Sequence, residues 1–290
     1  MILAAIFAVL SVGAGSQPAL ISPYVIVLGI AQDGGYPQAG CERPDCVAAW
    51  NDPKLRRHVV SLGIVDSSTN EHWMIDATPD FPEQFHALGG RVNGILLTHA
   101  HIGHYLGLAQ LGREVIGAHD MPVFAMPLMR AFLEHNGPWD QLVRLHNIDL
   151  RPLEDGVPVH LNADITVTPV VVPHRGEYSE TVAFIVKGPG RSILWMPDTD
   201  RLEHIEELIA RVDVAYIDGT FFDAKEIPGR NLAEIPHPLM RDSMERFAKL
   251  PAHERAKIRF IHLNQSNPAL RDPKIVRPFT VAREGEREPL

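Results

Sequence analysis

Three histidines fall within six residues in Leu96-Leu97-Thr98-His99-Ala100-His101-Ile102-Gly103-His104, directly behind an apolar run. Alternate residues at the end of an extended strand point the same way, so His99 and His101 can converge on one ion. Imidazole is a borderline ligand that suits zinc, iron and related divalent metals. Taken alone, the triplet is equally consistent with a hydrogen-bonded surface turn. Other apolar runs stop in a similar way: Val170-Val171-Val172-Pro173-His174, Ile193-Leu194-Trp195-Met196-Pro197-Asp198, Phe260-Ile261-His262 and Met74-Ile75-Asp76. One polar ending is ordinary at the end of a strand. A succession of His and Asp endings in one chain describes a metal cage assembled from separate strands.

Such a cage requires the runs to be strands of common sheets. Short β-branched runs recur at 24–30, 59–66, 73–76, 94–98, 165–172, 181–187, 192–196, 214–218 and 258–263, which predicts strands. Between them, 201–212 predicts a helix, with Leu202, Ile205, Leu208, Ile209 and Val212 on one apolar stripe and Asp200 with Glu203 as a capping-box-like start. Residues 127–135 predict a second helix, opened by Pro127 and closed by Gly137, and 238–250 a third. No repeat or linker divides the chain, so the pattern predicts one α/β domain with sheets inside and helices outside.

The chain has 290 residues and a formal charge of −9, and apolar residues make up 45% of it. The acidic balance argues against nucleic acid as a partner, because phosphates need a basic face, and favours a small-molecule substrate. Two cysteines, Cys41 and Cys46, exclude a four-cysteine zinc site; the pair reads as a disulfide or as half of a zinc site. Residues 1–16 read as a signal peptide, with Ala14 and Ser16 before a cleavage site but no basic residue at the start. A buried first strand or a mis-assigned start is the other reading. The apolar run is too short for a stable membrane anchor, which needs about 20 residues. Export predicts a periplasmic or secreted protein, and the alternative readings a cytoplasmic one. Oligomeric state leaves no mark in the sequence.

The order of these ligands resembles the metallo-β-lactamase-fold superfamily, whose hallmark is a His-x-His-x-Asp-His turn followed by separated His, Asp and His ligands. Within it, the chain is similar to the coenzyme PQQ synthesis protein B branch, through Leu28-Gly29-Ile30-Ala31-Gln32-Asp33-Gly34-Gly35-Tyr36-Pro37-Gln38 and His262-Leu263-Asn264-Gln265-Ser266-Asn267-Pro268. The resemblance implies an α/β fold of the αββα sandwich kind, two mixed β-sheets packed face to face with helices on the outside. It places the domain at 23–280 and leaves 281–290 as a polar C-terminal tail. It implies one or two Zn2+ ions, with Fe or Mn as alternatives. His99, His101 and His174 would hold the first metal, and Asp198 would bridge to a second held by His104 and His262. Asp76 would support the turn by hydrogen bonding.

The departure from the hallmark is Gly103, which stands where the superfamily has an aspartate. The second site is then empty, or selects another metal, or borrows an acid. Asp33 in the Gly-rich loop is the candidate for that acid or for a base; its other reading is a turn residue beside Gly34 and Gly35. His237, in a Gly-Arg-containing segment, reads as a proton donor or substrate contact, or else as a helix cap. The implied activity is a metal-dependent hydrolase that uses a metal-activated water on a small ester, lactone, amide or phosphodiester, with Asp198, His237 and Asp33 as catalytic residues. The alternatives are a PQQ-biosynthesis-type metalloprotein with iron-dependent oxygen chemistry, and a non-catalytic carrier.

Overall fold

In the first strand, Val25 and Val27 point to one face and Ile26 and Leu28 to the other, and all four are buried. A strand apolar on both faces must lie inside a layered sandwich. The computed structural model describes residues 23–290, so the signal peptide expected over 1–16 lies outside the described residues. Among the described residues, no helix is long and apolar enough to cross a membrane.

The first sheet contains β1 (Tyr24–Gly29), β2 (Ser61–Asp66), β3 (Glu71–Ile75), β4 (Gly94–Leu96), β5 (Met121–Ala125) and β6 (Ile148–Pro152). The second contains β7 (Val159–His160), β8 (Thr166–Val171), β9 (Val182–Lys187), β10 (Ser192–Met196), β11 (Val214–Asp218), β12 (Ile258–Ile261) and β13 (Thr280–Val281). A last strand, β14 (Arg287–Pro289), returns to the first sheet, giving orders β14-β1-β2-β3-β4-β5-β6 and β13-β12-β11-β10-β9-β8-β7 among the described residues. Both sheets are mixed: β1 to β3 are antiparallel and β3 to β6 parallel, while β7 to β10 are antiparallel and β10 to β13 parallel.

Between the sheets, Val27, Leu62, Ile64 and Trp73 meet Phe184, Trp195, Val214 and Tyr216. The outer face of the first sheet packs Met74, Ile95 and Val123 against α1 (Phe81–Ala87), α2 (Pro127–His135) and α3 (Trp139–Arg144). On the outer face of the second, Leu194, Met196 and Phe260 pack against α4 (Ile205–Ala210) and α5 (Met240–Phe247). This is the expected αββα sandwich, with helices outside and two mixed sheets between.

Two local readings differ from the structure, and a third that was left open is resolved by it. The helix expected over 201–212 is confined to Ile205–Ala210, because Asp200 is taken up elsewhere: its amide donates to the Pro173 carbonyl at 2.6 Å and its carboxylate accepts from His174. His204 enters the helix with a left-handed φ of 50°, yet Leu202 and Val212 still point inward and are buried. The second correction concerns the segment 281–290, which is no free tail. Arg287–Pro289 pairs antiparallel with β1, the Leu290 amide donates to the Pro23 carbonyl at 2.9 Å, and the Leu290 side chain is buried. Its charges are satisfied within the fold: Glu286 accepts from the Tyr216 hydroxyl at 2.9 Å and Glu288 pairs with Arg191 and Arg259. The third resolves the cysteines, which form a Cys41–Cys46 disulfide, so the half-built zinc site is excluded.

Candidate metal centre

Parallel neighbours present their carboxyl ends side by side, and ligands gather at such ends in α/β sheets. Here Asp76 follows β3, Thr98 and His99 follow β4, Asp198 follows β10, Asp218 closes β11 and His262 follows β12. Two backbone links tie the loops together. The Val182 amide donates to the Thr98 carbonyl at 3.1 Å, across the two sheets. The loop after β1 is laced to the segment after β12 by Leu263 N to Ile30 O at 2.8 Å and Gln32 N to Leu263 O at 2.9 Å, which sets Asp33 beside His262.

His99, His101 and His174 converge: His101 Nδ1 lies 2.8 Å from His99 Nε2 and 3.2 Å from His174 Nε2. The opposite nitrogen of each ring is held by an oxygen. His101 Nε2 meets Glu177 Oε2 at 3.1 Å, and His174 Nδ1 meets Asp200 Oδ1 at 2.8 Å. His99 Nδ1 meets Thr98 Oγ1 at 3.0 Å, and that hydroxyl already donates to Asp76 at 2.9 Å, so it accepts from His99. Every outer nitrogen therefore carries the proton, and three inner lone pairs face one another. Bare lone pairs so placed repel. A tetrahedral zinc with bonds of about 2.0–2.1 Å holds its ligand atoms about 3.3 Å apart, close to what is seen.

The second group is His104, His262, Asp198 and Asp33. His104 Nδ1 is 2.8 Å from Asp76 Oδ2; His262 Nδ1 is 2.8 Å from Thr220 Oγ1, whose hydroxyl donates to Asp218 Oδ1 at 2.7 Å. The inner Nε2 atoms of His104 and His262 lie 3.2 and 3.3 Å from Asp198 Oδ2, and Asp33 Oδ1 lies 3.4 Å from His104 Nε2. All four of these inner atoms are buried without a hydrogen-bond partner. Orphaned buried polar atoms are costly, and four that face one another make a cation-shaped gap. The other oxygen of Asp198, Oδ1, reaches toward the first group at 3.8 Å from His174 Nε2. Asp198 thus faces both groups, and the donor set of imidazoles and carboxylates fits one or two divalent cations.

The electrostatics agree. Burial lowers His99, His101 and His262 below the usual histidine range, which leaves them neutral and able to ligate. Burial alone would raise Asp198 and Asp33, but the histidines outweigh it. His262 and His104 hold Asp198 well below the carboxylate range, and His104 brings Asp33 down to about 2. Burial would lower His104, yet Asp76 and Asp198 lift it well above its usual value.

His237 lies on the rim of this cluster, not at a helix cap; its ring is 5.3 Å from that of His174 and its Nδ1 meets Asp218 Oδ2 at 2.8 Å. Burial opposes its protonation, but Asp218 prevails and raises it above the ordinary value. Asp218, Thr98, Thr220 and Asp200 were not read as site residues from the sequence. Asp218 carries the same signal as Asp198, an acid closing an apolar run, and that signal would have found it. Among the described residues, none of the nine other histidines enters a metal-holding group.

Asp76 is fully buried at a left-handed φ of 67° and accepts from the Thr98 amide at 2.8 Å as well as from His104. Asparagine tolerates that backbone, so Asp76→Asn should weaken cation affinity about 10–100-fold with the fold intact. Asp76→Ala should in addition cost about 2–4 kcal/mol of stability, since it orphans three buried donors, the Thr98 amide and hydroxyl and His104 Nδ1, and strains the turn. Metal titration and thermal denaturation of the two variants check this.

A domain that brings histidines and aspartates from so many strand ends into one cage on an αββα sandwich defines a class, and a beta-lactamase superfamily domain is matched over residues 72–262. The chain belongs to the beta-lactamase superfamily. Among its relatives is the coenzyme PQQ synthesis protein B of Rhodopseudomonas palustris (strain TIE-1), 27% identical over 85% of this chain and 91% of that one. In structure it is similar to Zn(2+)-bound PqqB from Methylobacterium extorquens, with a TM-score of 0.78 at 22% identity over 92% of this chain and all (100%) of the other. It is also similar to a diphosphatase from the PhnP family, with a TM-score of 0.70 at 21% identity over 92% and 96% of the two chains.

Proposed function

We propose that this protein is a metal-dependent hydrolase acting on a small ester, lactone, amide or phosphodiester. The observation that carries the reading is the convergence of His99 Nε2, His101 Nδ1 and His174 Nε2, each with its other nitrogen tied to an oxygen, beside Asp198, whose two oxygens face both groups. When bound, a cation such as zinc lowers the pKa of coordinated water from 15.7 to about 7 and polarises the substrate oxygen. The chain's own residues do the rest. Asp198 fixes the spacing of the two groups. Asp218 holds His237 by Nδ1, which leaves Nε2 to hand a proton to the departing atom. Exposed Ile102 and Tyr178, next in sequence to His101 and Glu177, supply an apolar rim that suits a small, partly apolar substrate. The formal charge of −9 supports the same choice over a polyanion.

The test is hydrolysis of a panel of phosphodiesters, lactones, esters and β-lactams by zinc-reconstituted protein, with His101→Ala as control. Turnover by the native chain that His101→Ala abolishes supports the reading; no turnover of any class by zinc-loaded protein overturns it. The similarity to coenzyme PQQ synthesis protein B favours a second reading, iron-dependent oxygen chemistry in cofactor biosynthesis, since three imidazoles with a carboxylate suit iron as well. Elemental analysis of protein purified without added metal separates the two. Export to the periplasm is proposed from the apolar leader alone, and mass spectrometry of the mature N-terminus tests it.

A further inference from the structure

We propose that Asp33, on the loop after β1, is a cation ligand, and that residue 103 is glycine because Asp33, backbone and side chain together, fills its space. This rests on the metal-centre reading above and adds to it the identity of the second cation's carboxylate.

A Cβ built on Gly103 would lie 2.4 Å from Asp33 Oδ1 and 2.5 Å from Asp33 Cα. Real Cβ atoms never approach backbone so closely, so a side chain at 103 and the present course of the Asp33 loop exclude each other. Gly103 is not among the residues with positive φ, so its backbone does not demand glycine. The demand comes from Asp33. The carboxylate is delivered where a residue-103 side chain would have begun, beside His104, and its Oδ1 is buried with no hydrogen-bond partner. Asp33, His104 and His262 offer ligand atoms within 4.8 Å of one another. A turn residue of the ordinary kind would bond its own backbone; Asp33 instead aims an unsatisfied oxygen into the cluster.

The loop is held for this task by the rest of the fold. Ala31 bridges both Val59 and Leu263, and Gly35 turns the chain at a φ of 69° where the Gly35 amide donates to the Gln32 carbonyl at 2.7 Å. The Leu263 links fix the distance between Asp33 and His262 through backbone rather than through side-chain torsions, which preorganises the pair.

The test counts cations without reference to turnover. Metal-free protein is reconstituted with Co2+ or Zn2+, desalted and analysed for metal per chain, and the Co2+ absorption spectrum is recorded. The native chain should bind two cations. Asp33→Ala and Asp33→Asn should bind one, with the dissociation constant of the second raised about 100-fold or more. The cation kept at His99, His101 and His174 shows that these variants fold. Gly103→Asp should also lose the second cation, because a Cβ at 103 displaces the Asp33 loop. A native stoichiometry of one, or an Asp33→Ala chain that keeps two with unchanged affinity, overturns the proposal while leaving the first group intact. A native chain that binds none sinks the metal-centre reading itself.

Discussion

Replacing Asp198 by alanine should abolish hydrolysis by about 10³-fold or more and weaken both cations at once. This carboxylate is the one that faces both groups, with Oδ2 at 3.2 and 3.3 Å from His104 and His262 and Oδ1 at 3.8 Å from His174. Ions held there would supply several kcal/mol of transition-state stabilisation, and each 1.36 kcal/mol is about tenfold in rate. His104 and His262 beside it are fully buried, so no water of bulk character replaces the lost oxygens. Metal per chain should fall below one, whereas Asp33→Ala should still retain one. Equal metal content in the two variants would show that Asp198 does not bridge. Kinetics and elemental analysis on the same preparations settle the matter.

His237→Ala should lower turnover about 10²–10⁴-fold, the usual contribution of a positioned proton donor, without changing metal content. The size of the loss should depend on the substrate. Esters whose leaving groups are weakly basic need no proton, and for them the variant should approach the native rate. Strongly basic leaving groups should show the full loss. Asp218→Asn should imitate the variant, because Asp218 is what holds His237 by Nδ1 at 2.8 Å and raises its pKa against burial. A loss that is uniform across leaving groups would make His237 a substrate contact instead. Any metal loss in Asp218→Asn reports on Thr220, through which Asp218 also steadies His262.

Most of the sandwich is legible because its strands are buried on both faces and hence apolar throughout. All nine apolar runs overlap strands, and 192–196 and 214–218 match their bounds. The strands that escape notice lack that signal. Met121–Ala125 has Pro122 in it, Ile148–Pro152 alternates Asp149 and Arg151 with apolar residues, and Arg287–Pro289 is mostly charged. The last owes its place to partners distant in sequence, Arg191 and Arg259, and no local pattern announces those. The helix at 201–212 is over-long for a related reason. Asp200 serves locally as a cap only until His174, 26 residues away, offers it a charge-assisted partner.

For the site, residue types and spacing alone determine the chemistry: His99, His101, His104, His174, Asp198 and His262 are metal-binding types at strand ends, and their order carries the resemblance to a superfamily. Only the tertiary structure decides which nitrogen of each ring is free, since the oxygens that hold the others come from Asp76, Glu177, Asp200 and Thr220 on different loops. It also sets Asp33 Oδ1 beside His104 Nε2 and ties His237 Nδ1 to Asp218, which neither loop segment announces. A loop residue is positioned by the backbone bonds that cross from β1 to the end of β12, over more than 200 residues of chain, and such distances follow from sheet pairing rather than from any local pattern.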